Sequence, residues 1–145
     1  MLAAPAASMA TTLRRKSREF ALQMLFEWDM THQEPAGVEQ NFWKSARAAD
    51  STRKFANQLF EGTVSQVDAA DKLVSELSEN WRLDRLATID RNILRLAIYE
   101  LTFGTAPAKV AIDEALELAK KFSSAEAPAF LNGVLDAAGK KLQAF

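Results

Sequence analysis

Between Leu86 and Leu101 the chain is apolar over most of a helix's circumference. At about 100° per residue, Ile89, Ile93, Leu94, Leu96, Ala97, Ile98 and Leu101 together cover more than half of the turn. A helix with this pattern is central and largely buried, so the rest of the chain has to enclose it. Gly104 and Pro107 punctuate its end and the start of the next helix, as glycine after a helix and proline at a first turn do.

The remaining segments supply the enclosure. From Arg14 to Thr31, Ala21, Met24, Leu25 and Trp28 fall at i, i+3, i+4 and i+7, while Lys16, Glu19, Gln23 and Glu27 share the opposite, polar face. The segment His32 to Gly37, with Pro35 and Gly37, reads as a loop. A short helix around Val38 to Ala49 presents Phe42 and Trp43. Asp50 or Ser51 then caps a long helical stretch through Leu77, with Gly62 as its bend.

Val110 to Phe122 is amphipathic, with Val110, Ala111, Ala115, Leu118, Ala119 and Phe122 inward. The last helix runs from about Ala127 to Leu142. Asn132-Gly133 is a hairpin signal, but Phe130, Leu131, Val134, Leu135 and Ala138 keep helical spacing through it, so a glycine admitting a neighbouring helix is expected there. The expected fold is all-α, a compact single-domain bundle of about seven helices over residues 14–145, preceded by a mobile tail, 1–13.

Most chemistry is excluded by what the chain lacks. It has no cysteine and a single histidine, His32, in a loop, so thiolate sites and histidine zinc clusters are out of reach and no triad can draw on a second histidine. Five scattered glycines form no phosphate-binding loop or dinucleotide fingerprint. Asp113, Glu114 and Glu117 read as a solvated helix face, two of them at the favourable end of the helix dipole. No enzyme activity, cofactor or metal is expected. No apolar run approaches the ~20 residues of a membrane span, and a cysteine-free chain suits the cytoplasm.

Net charge is −1 over 145 residues, yet Arg14, Arg15, Lys16 and Arg18 crowd into five positions. Cations at a helix start oppose its dipole by about 0.3–1 kcal/mol each, and a bound phosphate would offset that cost. Gln23 and Phe26 extend the same helix, one able to bond a base edge and the other to stack on an unpaired base. Asp90 is a second anomaly, since its helical angle points it into the arc of Leu94, Ala97 and Leu101. It is either a first-turn acid or part of a partner surface. Arg91 and Arg95 are like charges at i, i+4 that need acids from elsewhere.

WRLDRLATIDRNILRLAIYELTFG from Trp81 to Gly104, followed by FLNGVLD from Phe130 to Asp136, resembles the signature of the NusB family of bacterial transcription antitermination factors. RRKSREFALQMLFEWD resembles the family's basic first helix, and PAKVAIDEALELAKKF its penultimate one. The resemblance runs from Arg14 to about Leu142. It implies an all-helical, non-enzymatic factor that pairs with NusE, also a protein of the small ribosomal subunit. Together the pair binds single-stranded boxA RNA of nascent transcripts, notably of ribosomal RNA operons. With other Nus factors it joins RNA polymerase in an antitermination complex.

By position, the resemblance implies RNA contacts from Arg14, Arg15, Lys16, Arg18, Gln23, Phe26, Glu126 and Phe130, and a NusE contact from Asp90. Phe26 stands where relatives often carry tyrosine, which keeps a ring for stacking but no phenol hydroxyl. Ala127 and Pro128 replace a serine and a polar or charged residue. Two alternatives remain: a helical adaptor that binds protein without touching RNA, and a stand-alone relative of the NusB-like domain of RNA cytosine methyltransferases. A homodimer is left open, since some members of the family self-associate.

Overall fold

A computed structural model describes residues 6–77 and 85–145, with side chains from Leu13 onward. Among the described residues there are seven helices and no strand: α1 (Ala6–Thr31), α2 (Pro35–Ser45), α3 (Asp50–Ser65), α4 (Val67–Leu77), α5 (Thr88–Phe103), α6 (Ala108–Phe122) and α7 (Ala127–Lys141). The all-α expectation holds. Trp81 and its neighbours at the head of the family-like motif lie outside the described residues, as do the first five residues of the expected tail. The helices group into two compact units, one ending at Glu61 and the other beginning at Gly62.

In the first unit, α1 begins earlier than its apolar pattern does, at Ala6. Thr31 ends it, and His32 adopts a left-handed φ of 57° while its N–H bonds back to the Trp28 carbonyl at 2.8 Å. The expected loop to Gly37 is therefore shorter. Pro35 opens α2, because proline lacks only an N–H that a first helical turn leaves unbonded anyway.

Helix α2 packs on α1 through rings. Phe20 meets Phe42 and Trp43 edge-on at 5.7 and 5.2 Å, and Phe42 meets Trp43 at 4.9 Å. Such contacts add about 0.5–1.5 kcal/mol each beyond area burial. The Trp43 indole N–H donates to Asn57 Oδ1 at 2.8 Å, which ties α2 to α3.

In the second unit α5 is the hub, as its near-continuous apolar surface requires, and α4, α6 and α7 all pack against it. Ile93, Leu94, Leu96, Ala97, Ile98 and Leu101 are buried. Gly104 closes α5 in the left-handed conformation at φ 64°, its N–H on the Glu100 carbonyl. Pro107 is the N-cap of α6 and precedes the first turn. Arg95 is buried with Asp71 of α4 as counter-ion. Its Nε donates to Oδ1 at 2.8 Å and its Nη2 to Oδ2 at 2.9 Å, while Nη1 reaches Asn92 Oδ1 at 3.1 Å.

Several details depart from the sequence reading. The Asp50–Leu77 stretch is two helices, broken at Gln66, whose N–H is shared between the Gly62 and Thr63 carbonyls. Gly62 matters for space: a Cβ there would collide with the Tyr99 ring. Asn132-Gly133 is helical, as expected, but a Cβ on Gly133 would meet nothing within 4 Å among the described residues, so the glycine is not needed there for close packing. Close approach occurs at Gly139, where a Cβ would lie 2.5 Å from the Phe145 ring. Val110 is exposed, and Ile112 takes the inward position. Glu114 is buried, so the acids of α6 are not one solvated face.

Glu39 of α2 has its Oε2 buried without a hydrogen-bond partner. Burial, then the hydrogen bond and the negative charge of Glu61, push its pKa from an ordinary 4.5 up to about 8, against a smaller opposite pull from Arg53. Between those values the folded chain keeps a proton that the unfolded chain has lost. Stability therefore falls as pH rises from 4.5 to about 8. Thermal unfolding across that range is expected to show the decline, and Glu39→Gln, which stays neutral, to flatten it.

Candidate nucleic-acid interface

Six of the eight residues expected to meet RNA lie on α1, and the helix sorts them onto different faces. Because α1 starts at Ala6, Arg14 lies well past the first turn. The cluster is thus not at a helix start, and the dipole penalty argued for it does not apply. Its chemistry rests instead on which side chains face outward.

At about 100° per residue, Arg15, Lys16, Gln23 and Phe26 fall within about a third of the circumference, and all four are exposed. Met30, one turn beyond Phe26, continues this face at 60% exposure, against 39% for Phe26. Sequence reading passed over Met30, although its i+4 spacing from Phe26 was there to be seen. Lys16 is held by its neighbours on the same helix. Its ammonium lies 3.9 Å from Glu19 Oε2 and 5.0 Å from the centroid of the Phe20 ring.

Arg14 turns to a different side, where its guanidinium lies 4.7 Å over the Phe55 ring of α3. Beside it, Ser17 Oγ donates to the Thr52 carbonyl at 2.9 Å, a buried bond that fixes α1 against the start of α3. The outer end of the basic segment is therefore braced by α3.

Arg18 does not belong with the others. It is 2% exposed, so it cannot offer its guanidinium to a ligand in this structure. The signal was in the sequence: Arg18 precedes Ala21, Leu22 and Leu25 by three, four and seven residues, the spacing of the apolar stripe itself. Glu19, expected on the polar face, is also buried. Arg18 is a structural cation of the first unit.

The other expected residues lie in the second unit. Glu126 is exposed at the N-cap of α7, and Phe130 is half-buried one turn further on. Pro128 falls in the first turn of α7, where proline's missing N–H is tolerated, and Ala127 is buried. Asp90, in the first turn of α5, accepts a hydrogen bond at 2.5 Å from Ser123 Oγ at the end of α6. That bond gives Asp90 an internal task that the first-turn reading had only half described. Among the described residues no cluster of histidine and acid side chains could hold a metal, and no helix is long and apolar enough to cross a membrane.

The chain matches the model of the NusB family over residues 15–140. It belongs to that family. Transcription antitermination proteins NusB from Koribacter versatilis and Myxococcus xanthus are each 44% identical to it. The alignments cover 94% of this chain and 95% of the Koribacter protein, and 85% and 91% for Myxococcus. Among solved structures, Thermotoga maritima NusB superposes with a TM-score of 0.79 at 32% identity, covering 88% of this chain and 91% of its own. The NusB fold also superposes, with the same score and 26% identity, on a chain from a crystal structure of antitermination factors NusB and NusE in complex with dsRNA. That match covers 90% of this chain and 98% of the other. These relatives are transcription antitermination proteins, not enzymes.

Arg18→Ala is expected to cost about 2 kcal/mol, because it removes a buried charged hydrogen-bonding group. That is a fall of several degrees in Tm. Arg15→Ala, on the exposed face, should leave Tm within about a degree, since such surface changes stay within about 0.5 kcal/mol. Calorimetry on the two variants checks the division of the cluster.

Proposed function

We propose that this NusB-family chain acts as an RNA-binding subunit of an antitermination complex. It would pair with NusE, bind single-stranded boxA RNA of nascent transcripts, notably those of ribosomal RNA operons, and suppress premature termination by RNA polymerase with other Nus factors. Work of this kind is done in the bacterial cytoplasm. The observation that carries the proposal is the outward face of α1, where Arg15 and Lys16 stand beside Gln23, Phe26 and Met30 in an otherwise nearly neutral protein. Cations supply attraction to phosphates, while an exposed ring supplies a stacking surface that needs no particular base. The likeness to a chain solved with NusE and dsRNA supports the coarser part of this reading, pairing with NusE and binding to RNA. Glu126 and Phe130 are carried along as candidate RNA contacts on the strength of the family resemblance.

Replacing Arg14, Arg15 and Lys16 together by alanine is expected to weaken RNA binding at unchanged fold. The loss should shrink as salt rises, with a salt slope lower by about two to three, because each phosphate contact releases about one counterion. Anisotropy titrations of boxA-type RNA over a salt series, with and without NusE, read both the slope and the partner's contribution. An unchanged affinity and slope would leave the protein-only adaptor as the better description.

Asp90 is proposed as a NusE contact in addition to its bond with Ser123. Asp90→Lys is expected to abolish NusE binding, since a wrong charge in a desolvated contact costs several kcal/mol. Asp90→Asn, which can still accept from Ser123, should preserve most of the fold. Calorimetric titration with NusE beside thermal unfolding tests it. If Asp90→Lys melts earlier but its folded fraction still binds NusE normally, Asp90 is an internal residue alone.

A further inference from the structure

The basic segment of α1 borders a groove that the family resemblance does not assign. It lies between α1 and the N-terminal half of α3, has a volume of about 340 Å³, and is lined by Arg14, Ser51, Lys54, Phe55 and Gln58 together with Leu13, Ser17 and Thr52. That volume lies at the small end of the range for ligand pockets, enough for one compact unit and not for an extended molecule.

Among the described residues, two cations and no carboxylate line this groove, in a chain whose net charge is −1. Arg14 is spread over the Phe55 ring with its Cζ 4.7 Å from the centroid, which makes a cationic surface braced by an aromatic. Guanidinium planes held in this way are among the surfaces on which unstacked bases settle. Lys54, Gln58 and Ser51 are exposed at the rim. The ammonium suits a phosphate, the amide a base edge, and the hydroxyl either a phosphate or a sugar. The buried Ser17–Thr52 bond keeps the two walls at fixed separation.

We propose that this groove seats one nucleotide of a single-stranded RNA, with its base on the Arg14–Phe55 pair and its phosphate at Lys54. This rests on the RNA-binding function proposed above and extends the track along α1 onto α3. It makes Lys54, Phe55 and Gln58 RNA contacts and gives Arg14 a task different from that of Arg15 and Lys16. One seated base should be worth about tenfold in affinity, the scale of stacking on an aromatic platform.

The test is a ladder of single-stranded RNA oligonucleotides, growing one nucleotide at a time from either end, titrated against the full chain at low salt. Wild type, Lys54→Glu and Phe55→Leu are compared, with circular dichroism confirming that each variant is folded. Wild-type affinity is expected to step up by about tenfold at one added nucleotide. Both variants should lose that step while binding shorter oligonucleotides like wild type. Gln58→Ala, a rim change with little consequence for folding, should lower the same step by severalfold and shift its preference among bases. If folded variants retain the step, the groove is not a nucleotide seat, although RNA binding by α1 stands. If the variants weaken every length equally, only general electrostatics is involved and the seat is overturned. If wild type binds none of the ladder, with or without NusE, the RNA-binding function fails first and the seat falls with it.

Discussion

Arg95 sets the terms for the second unit. It rides on α5, whose residues from Asn92 to Ile98 are all buried, and it is carried into the core with them. A guanidinium in that position costs several kcal/mol unless its charge and its donors are answered. Asp71 of α4 answers with a two-pronged carboxylate, and Asn92 takes a third donor while bonding back to the Thr88 carbonyl. The arrangement is directional, so it fixes α4 along α5 in one register where apolar packing alone would allow sliding. The same register brings Tyr99 against Gly62, where no other residue type would fit without displacing the ring. With α4 and α5 locked, α6 and α7 complete the enclosure, and Asp90 and Ser123 tie the beginning of α5 to the end of α6.

The first unit solves a different problem. Helix α1 has to be a packing element and a surface at once, within a few residues. It does so by burying every residue from Ser17 through Leu22 and then opening one side from Gln23 onward. Charge is sorted along with it. Arg18 and Glu19 are withdrawn into the interior, whereas Arg15 and Lys16 stay outside. The withdrawn pair is one base and one acid, so Arg14, Arg15 and Lys16 remain as the exposed cations of the segment. The aromatic trio of Phe20, Phe42 and Trp43 holds α2 in place, and burial and Glu61 raise the pKa of Glu39 well above the usual carboxylate range, to about 8.

Fold class was legible because periodicity and apolar coverage report directly on burial. Leu86–Leu101 announced the hub, and the helical spacing around Asn132-Gly133 correctly outweighed a local turn signal. What periodicity could not supply was anything decided by a neighbour. Glycine at position 133 looked like a packing device, but whether another helix lies there depends on tertiary placement, and the close contacts fall at Gly62 and Gly139. Pro35 was misread because proline breaks a helix from inside and begins one from its first turn, and composition alone does not distinguish the two. For the site, counting cations overstated the cluster by one. Arg18 was in register with the apolar stripe, and register should have overruled charge.

A nearly neutral protein with a small basic face has a particular way of binding nucleic acid. With a net charge of −1 its long-range field gives little steering toward a polyanion, so encounter is slow and most affinity has to arise at contact. Few phosphate contacts mean a shallow salt dependence, and the remainder has to come from rings and shaped surfaces that discriminate paired from unpaired bases. Phe26 and Met30 on one face and the Arg14–Phe55 pair on another have that character. In the function proposed above, such an arrangement keeps affinity low enough for a second protein on the same strand to decide, through effective concentration, where binding occurs.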